Sequence, residues 1–410
     1  MLVPVDGAPA GSDTGLDLDL DRPLSLRPLV YLEEGDEVTI GSPETESYAV
    51  FPADGAELVR MLSDGVSPRQ AAADHQEAHG ESVDILDLLS VLADLDFVQD
   101  STGPAAPTAV RWQQLGRVLF SPPAWFCYAL VTSLWIMQMV RHPELVPHRG
   151  ALFFTSSYTV ISLVLFLGQI PLLALHESFH ALAGRRIGVR SRFSVGRRLT
   201  YVVFETSLPG LVAVPRRKRY LPILAGMMAD VLATAGLTLV AAAVRAPDGA
   251  LPLVGRLCLA LACSTVLRLF WQLFFYLRTD LYVLLTTALG CTDLHGAAAG
   301  RLHNAVRRWT GKPAVDLSAF SPADRRAARW YAWLLPTGYA LTLVSFATVV
   351  VPTAYQLLTG LFGRLRTGAP VTAILDSVTL LALLFAQLLA IAVMVLRDRR
   401  ARRAAAPQRG

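Results

Sequence analysis

The chain has 410 residues, 53% of them apolar and only 17% charged, and a mean hydropathy of +0.43. That balance is too apolar and too poor in charge for an ordinary soluble domain, which argues against a purely cytosolic globular enzyme. A net charge of +4, from 37 basic and 33 acidic residues, gives no reason to expect a nucleic-acid partner. Four cysteines, Cys127, Cys258, Cys263 and Cys291, stand in apolar stretches without C-x-x-C spacing, so neither a disulfide framework nor a thiolate metal site is indicated.

Residues 1–24 hold Asp6, Asp13, Asp17, Asp19 and Asp21 and no long apolar run. They read as a disordered acidic tail rather than a secretory signal. Residues 25–103 then change from alternating to helical pattern. Pro28 to Leu32, Glu37 to Ile40 and Ser47 to Phe51 read as short strands, and Asp96 to Gln99 as a possible returning strand. Ala56 to Leu62, a helix opened by Ser67-Pro68, and Ser82 to Leu95 read as three helices. Three strands followed by three helices make a small α+β, winged-helix-like domain, with residues 104–123 as a linker behind it.

From Ala124 onward six stretches reach the roughly 20 apolar residues that a bilayer core of about 30 Å requires: 124–140, 152–184, 220–244, 251–277, 331–352 and 374–396. The connections test their order. Residues 185–219 carry ten Arg or Lys and 278–329 carry eight, whereas 141–151, 245–250 and 353–373 carry two, one and two. Six crossings with both termini cytoplasmic place every arginine-rich connection inside. The expected fold is thus a polytopic α-helical membrane protein of about six transmembrane helices behind a soluble module. Residues 291–330 are expected as a cytoplasmic loop, and 397–410 as a basic cytoplasmic tail. Pro171 should bend the long second stretch.

The polar residues left inside these stretches carry the chemistry. His176-Glu177-Ser178-Phe179-His180 is an H-E-x-x-H motif within an apolar helix. Its i, i+4 spacing puts both imidazoles on one helix face, able to share Zn²⁺, with Glu177 beside the open coordination position as general base. Ionisable groups at membrane depth are costly, which favours a functional role. Ala225-Gly226-Met227-Met228-Ala229-Asp230 follows about fifty residues later, and Leu277-Arg278-Thr279-Asp280-Leu281-Tyr282 a hundred residues past His180.

In these three motifs the chain resembles the site-2-protease-like intramembrane zinc metallopeptidases, over about residues 120–290. The resemblance implies an active core at 124–290, zinc held by His176, His180 and Asp280, and peptide-bond hydrolysis with Glu177 as the catalytic base. Two departures stand out: Asp230 occupies a position where that family commonly has Asn, and Asp280 is followed by Leu281 rather than Gly. Asp230 is therefore a rival third ligand. By helix rise Asp230 and Arg268 each lie about 15 Å from the cytoplasmic ends of their stretches, so a buried ion pair between them is the preferred reading of Asp230.

Between the motifs, Ser191 to Pro215 contains the extended-looking run Leu199 to Glu205 and suits a β-hairpin; an ordinary loop with arginines at the headgroups is the alternative. In the resembling family such strands are thought to hold substrate extended. Glu205 is a possible substrate contact. Residues 25–103 are similar in element order to the PqqD-like peptide-recognition domains, which implies a leader-bearing precursor peptide as partner. The joint expectation is removal of a leader from a ribosomally made natural-product precursor near the inner leaflet. The alternative is a non-catalytic membrane peptide-binding, export or immunity protein with a vestigial metal site; a transporter built on Asp230 and Arg268 would need internal repeats, and none is evident.

Overall fold

Three strands followed by three helices, the expected order, stand at the N-terminus of the computed structural model, which describes residues 19–99 except 36 and 81, then 110–198, 201–345, 347–348, 351–366 and 370–404. Residues 1–18 of the expected tail, 104–109 of the expected linker and 405–410 lie outside the described residues. The chain divides into two compact units. One joins the N-terminal residues, as far as Arg117, to Ala181–Arg192 and Ser207–Tyr220; the other holds the remainder.

In the first unit β1 (Val30–Glu34), β2 (Glu37–Ser42) and β3 (Ser47–Pro52) form an antiparallel sheet with Leu32 opposite Thr39 and Ile40 opposite Ala49. Alternation sends Val38, Ile40, Ala49 and Phe51 to one face, where α1 (Ala53–Ser63), α2 (Pro68–His79) and α3 (Ile85–Asp94) supply Leu58, Leu62, Leu89 and Leu92 to a common core. Each large side chain so buried contributes about 1.5–3 kcal/mol relative to exposure. Pro68 opens α2, Gly80 ends it in the left-handed conformation, and the Asp84 carboxylate caps α3 by accepting from the Leu86 and Asp87 amides. The returning strand is reduced to a single bridge between Leu26 and Val98.

Part of the expected acidic tail belongs to this core. Leu20 and Leu24 pack against it, the Leu20 carbonyl accepts from the Arg69 amide, and Asp21 pairs with Arg69 at 2.6 Å. The Arg69 hydrogen bond holds the Asp21 carboxyl below the usual carboxylate range. Behind it, where only linker was expected, Gln113–Leu119 forms the short helix α4.

The opposite face of the sheet is also covered, which is why β2 is buried from Val38 to Ser42. There the Tyr48 ring lies so close over Gly41 that a Cβ at Gly41 would come within 2.0 Å of it. A 3-10 turn, Pro209–Ala213, packs on β2 and β3, and the Tyr48 hydroxyl reaches Gly210. Glu34 accepts from the Arg216 amide and pairs with Arg219 at 2.8 Å, while Glu46 pairs with Arg192 at 2.6 Å.

The second unit is helical apart from a two-stranded hairpin. Its long helices are α5 (Pro122–Arg141), α6 (Tyr158–Arg186), α7 (Arg216–Ala243) and α8 (Leu253–Trp271), with the last turns of α6 and the first turn of α7 counted in the first unit. The hairpin expected between the second and third stretches is present as β4 (Arg192–Arg198) paired with β5 (Tyr201–Ser207). Then come α9 (Asp280–Leu289), α10 (Leu294–Trp309), α11 (Pro322–Ser345), α12 (Val351–Arg366) and α13 (Val371–Ala404). Among the described residues five helices, α5, α6, α7, α8 and the apolar part of α13, are long and apolar enough to cross a bilayer. The expected fifth stretch, 331–352, falls on α11, on residues 346, 349 and 350 outside the description and on the start of α12; α11 opens with Asp324, Arg325, Arg326 and Arg329 and is not apolar enough along its length.

The second stretch is one continuous helix, α6, as expected, with Pro171 inside it. Two local features differ from expectation. The fourth stretch does not run on to residue 277: α8 ends at Trp271, a 3-10 turn follows at Phe275–Leu277, and Asp280 begins the separate helix α9. The break survives in an apolar setting because its polar groups find partners, the Thr279 hydroxyl donating to the Gln272 carbonyl and Tyr331 donating to the Phe275 carbonyl. Lastly, residues 291–330 are no open loop. In α10 and α11, Leu294, Ala297, Ala298, Tyr331 and Leu335 form a buried core with Tyr276, Leu277 and Tyr282 around that break.

At the far end of α6, Asp376 of α13 accepts from the Tyr158 and Thr159 amides and from the Ser157 hydroxyl. A carboxylate on the exposed amides of a helix N-terminus satisfies donors that have no partner within the helix. Helices α6 and α13 therefore start at the same end of this unit.

Candidate metal centre

His176 and His180 sit on adjacent turns of α6, where i, i+4 spacing stacks their side chains on one face. Both are buried, at 4% and 7% exposure. Each ring is fixed through Nδ1. His180 Nδ1 donates to the Pro222 carbonyl at 2.7 Å, and His176 Nδ1 donates to Asp230 Oδ2 at 3.0 Å. A carbonyl can only accept, so the His180 proton is on Nδ1 and its Nε2 presents a lone pair; the carboxylate partner sets the same tautomer on His176.

The two Nε2 atoms are 3.1 Å apart, and Asp280 Oδ2 lies 3.2 Å from one and 3.3 Å from the other. A tetrahedral ion with bonds of about 2.0–2.1 Å separates its donors by about 3.3 Å, so this triangle has the dimensions of one face of such a coordination sphere. His176, His180 and Asp280 are the one group of this kind among the described residues, and they can hold a metal ion. A second observation supports the fit. The α7 backbone meets the two Nε2 atoms at Gly226, where a Cβ would lie 2.2 Å from His180 Nε2 and 2.6 Å from His176 Nε2. Any larger residue there would occupy the space around the donors.

Asp280 is the first residue of α9. Its carboxylate accepts from Gln272 Nε2 at 3.0 Å, and its own amide donates to Gln272 Oε1 at 3.1 Å, so one buried glutamine holds both its backbone and its side chain. Glu177, one residue past His176, is buried beside the end of β5. The Thr206 amide donates to Glu177 Oε2 at 2.7 Å, and the Thr206 hydroxyl donates to the Glu177 carbonyl at 3.0 Å.

Asp230, the rival ligand, faces the back of His176 and not the donor triangle. Arg268 donates to both its oxygens, through Nε at 3.2 Å and through a second nitrogen, and a third guanidinium nitrogen donates to Gln169 Oε1 at 2.8 Å. The expected pair of Asp230 and Arg268 is thus formed, with His176 as a third member. Sequence reasoning singled out neither Gln272 nor Thr206. Gln272 could have been noticed as an amide at the end of an apolar stretch eight residues before Asp280; Thr206 is one hydroxyl among several in an extended run. The Glu205 side chain lies outside the described residues.

No family model, curated protein or solved structure matches the chain.

Proposed function

We propose that the protein is a membrane-embedded zinc metallopeptidase in which His176, His180 and Asp280 hold the metal and Glu177 is the general base. The carrying observation is the donor triangle of 3.1–3.3 Å assembled from residues a hundred positions apart, with a buried glutamate one residue past His176. Imidazoles and a single carboxylate suit Zn²⁺ among the common divalent ions. A zinc ion bound there supplies Lewis acidity, which polarises a scissile carbonyl and makes water nucleophilic near neutral pH.

The residues then divide the work. Pro222 and Asp230 keep the Nε2 lone pairs directed at the donor triangle, and Gln272 aims the Asp280 carboxylate. Glu177 accepts the proton of the attacking water and returns it to the departing amine, two transfers that need one well-placed carboxylate. Thr206 fixes one of its oxygens. The apolar flanks of α6, α7 and α8 limit bulk water.

For the substrate we propose a leader-bearing precursor peptide, captured by the N-terminal sheet-and-helix module on the cytoplasmic side, where the arginine-rich connections of a multi-pass protein with both termini inside would lie. Support for this part is the element order of that module and the arginine distribution among the connections between the apolar stretches. The test is Glu177→Gln in purified protein offered a library of extended peptides, with products read by mass spectrometry. The variant should keep one zinc per chain and lose at least about 100-fold in cleavage rate. Cleavage at the wild-type rate would overturn the reading. A non-catalytic peptide-binding protein would instead bind peptides with no products from either form.

A further inference from the structure

Asp230 is 1% exposed and shares its Oδ2 between His176 Nδ1 at 3.0 Å and Arg268 Nε at 3.2 Å. Arg268 also binds Oδ1 and reaches Gln169, so three of its nitrogens are engaged. A carboxylate held this way cannot rotate without breaking two guanidinium contacts, and the His176 ring cannot rotate without losing its only Nδ1 acceptor. The charges also balance. A divalent ion at the donor triangle would have the carboxylates of Asp280, Glu177 and Asp230 around it, and the Arg268 guanidinium offsets that of Asp230, which stands behind His176 and does not ligate.

We propose that Arg268 is a positioning residue of the metal centre, acting through Asp230 to fix the His176 ring, and that Asp230 and Arg268 work as one charge-neutral support whose halves cannot be removed singly. Without Arg268, Asp230 is a buried anion free to swing away from His176. Without the Asp230 charge, the guanidinium is an uncompensated cation behind His176, which disfavours a divalent ion at the donors. Removing both charges at once, with Asn retaining an acceptor for His176 Nδ1, restores a neutral support. Breaking a buried pair costs far more than replacing it whole, and partners of metal-binding histidines commonly change affinity 10–100-fold when lost.

This inference rests on the metal-binding reading, and its test separates the two. Zinc affinity is measured by chelator competition on full-length protein in detergent for wild type, Asp230→Asn, Arg268→Met, the Asp230→Asn/Arg268→Met double variant and Arg268→Lys, with melting temperature followed in parallel. Each of the first two single variants should bind zinc 10–100-fold more weakly. The double variant should recover to within about threefold of wild type, and Arg268→Lys should fall between, since it keeps the charge but not the fork. Equal affinity in wild type and Arg268→Met, or a double variant as weak as the two losses multiplied, overturns the proposal while leaving metal binding intact. So would a fall in melting temperature with unchanged affinity in the folded fraction. A wild-type protein that takes up no zinc removes the metal reading and this inference together. Should Arg268→Met fail to fold, Arg268→Lys against Asp230→Asn/Arg268→Lys carries the same comparison, because restoring the cation beside a neutral Asn must then weaken binding.

Discussion

Helices α5 and α7 are both apolar enough to cross a bilayer, yet they are used differently. In α7, 44% of the most apolar stretch is buried, and the buried positions are small or polar: Ala225, Gly226, Ala229, Asp230, Thr234, Ala235, Thr238 and Ala241. In α5 none of that stretch is buried, and Trp125, Phe126, Leu130, Leu134, Ile136 and Val140 are exposed. Where lipid is as apolar as leucine, hydrophobicity does not decide which helices pack; close backbone approach and satisfied polar groups do. The candidate metal site lies on the α7 type of surface, and α5 leaves a cavity of about 370 Å³ against α7, lined by Trp125, Tyr128, Met228 and Leu232 among others.

If close approach is what α7 contributes, the largest effect should come from filling it. Gly226→Ala places a methyl 2.2 Å from His180 Nε2 and 2.6 Å from His176 Nε2, well inside van der Waals contact, and should abolish stoichiometric zinc, a loss of at least about 100-fold in affinity, since neither fixed ring can retreat without giving up its Nδ1 partner. Metal analysis of purified protein checks it; retained zinc would mean the rings are not held as described. A smaller effect is expected at the broken end of α8. Gln272→Leu removes the amide that orients Asp280 and should weaken zinc about tenfold, measured by chelator competition, with a fall in melting temperature because the Asp280 amide loses its acceptor. The smallest is expected at the periphery. Asp376→Ala strips the N-terminal cap of α6 and should cost about 1–2 kcal/mol of thermal stability, read by melting in detergent, while zinc affinity stays put because the cap is at the opposite end of α6 from His176.

The same contrast explains what could be read from residues alone. His176, Glu177 and His180 were legible because ionisable groups in an apolar helix are costly and rare, and the Asp230 and Arg268 pair followed from equal depth on neighbouring stretches. The N-terminal strands and the β4–β5 hairpin were legible from alternation. The break between α8 and α9 was not. It depends on Gln272, Thr279 and Tyr331 satisfying backbone groups through contacts that an average of hydropathy cannot register. For the same reason residues 291–330, which hold α10 and the start of α11, read as a loop while the rest of α11 reads as a crossing: the packing rests on Ala297, Ala298 and Tyr331 meeting side chains near Asp280, which the arginines of that stretch mask. Residues 19–24 were taken for tail because their aspartates outweigh Leu20 and Leu24, the two side chains that pack.

The central claim is that His176, His180 and Asp280 form one zinc site. X-ray absorption at the zinc edge of the purified protein tests it most directly. The account predicts one zinc per chain with two imidazole nitrogens and light oxygen donors at about 2.0–2.1 Å and no sulfur, and loss of that signal in Asp280→Ala. A protein without zinc, a sulfur shell, or an unchanged spectrum in Asp280→Ala would contradict it.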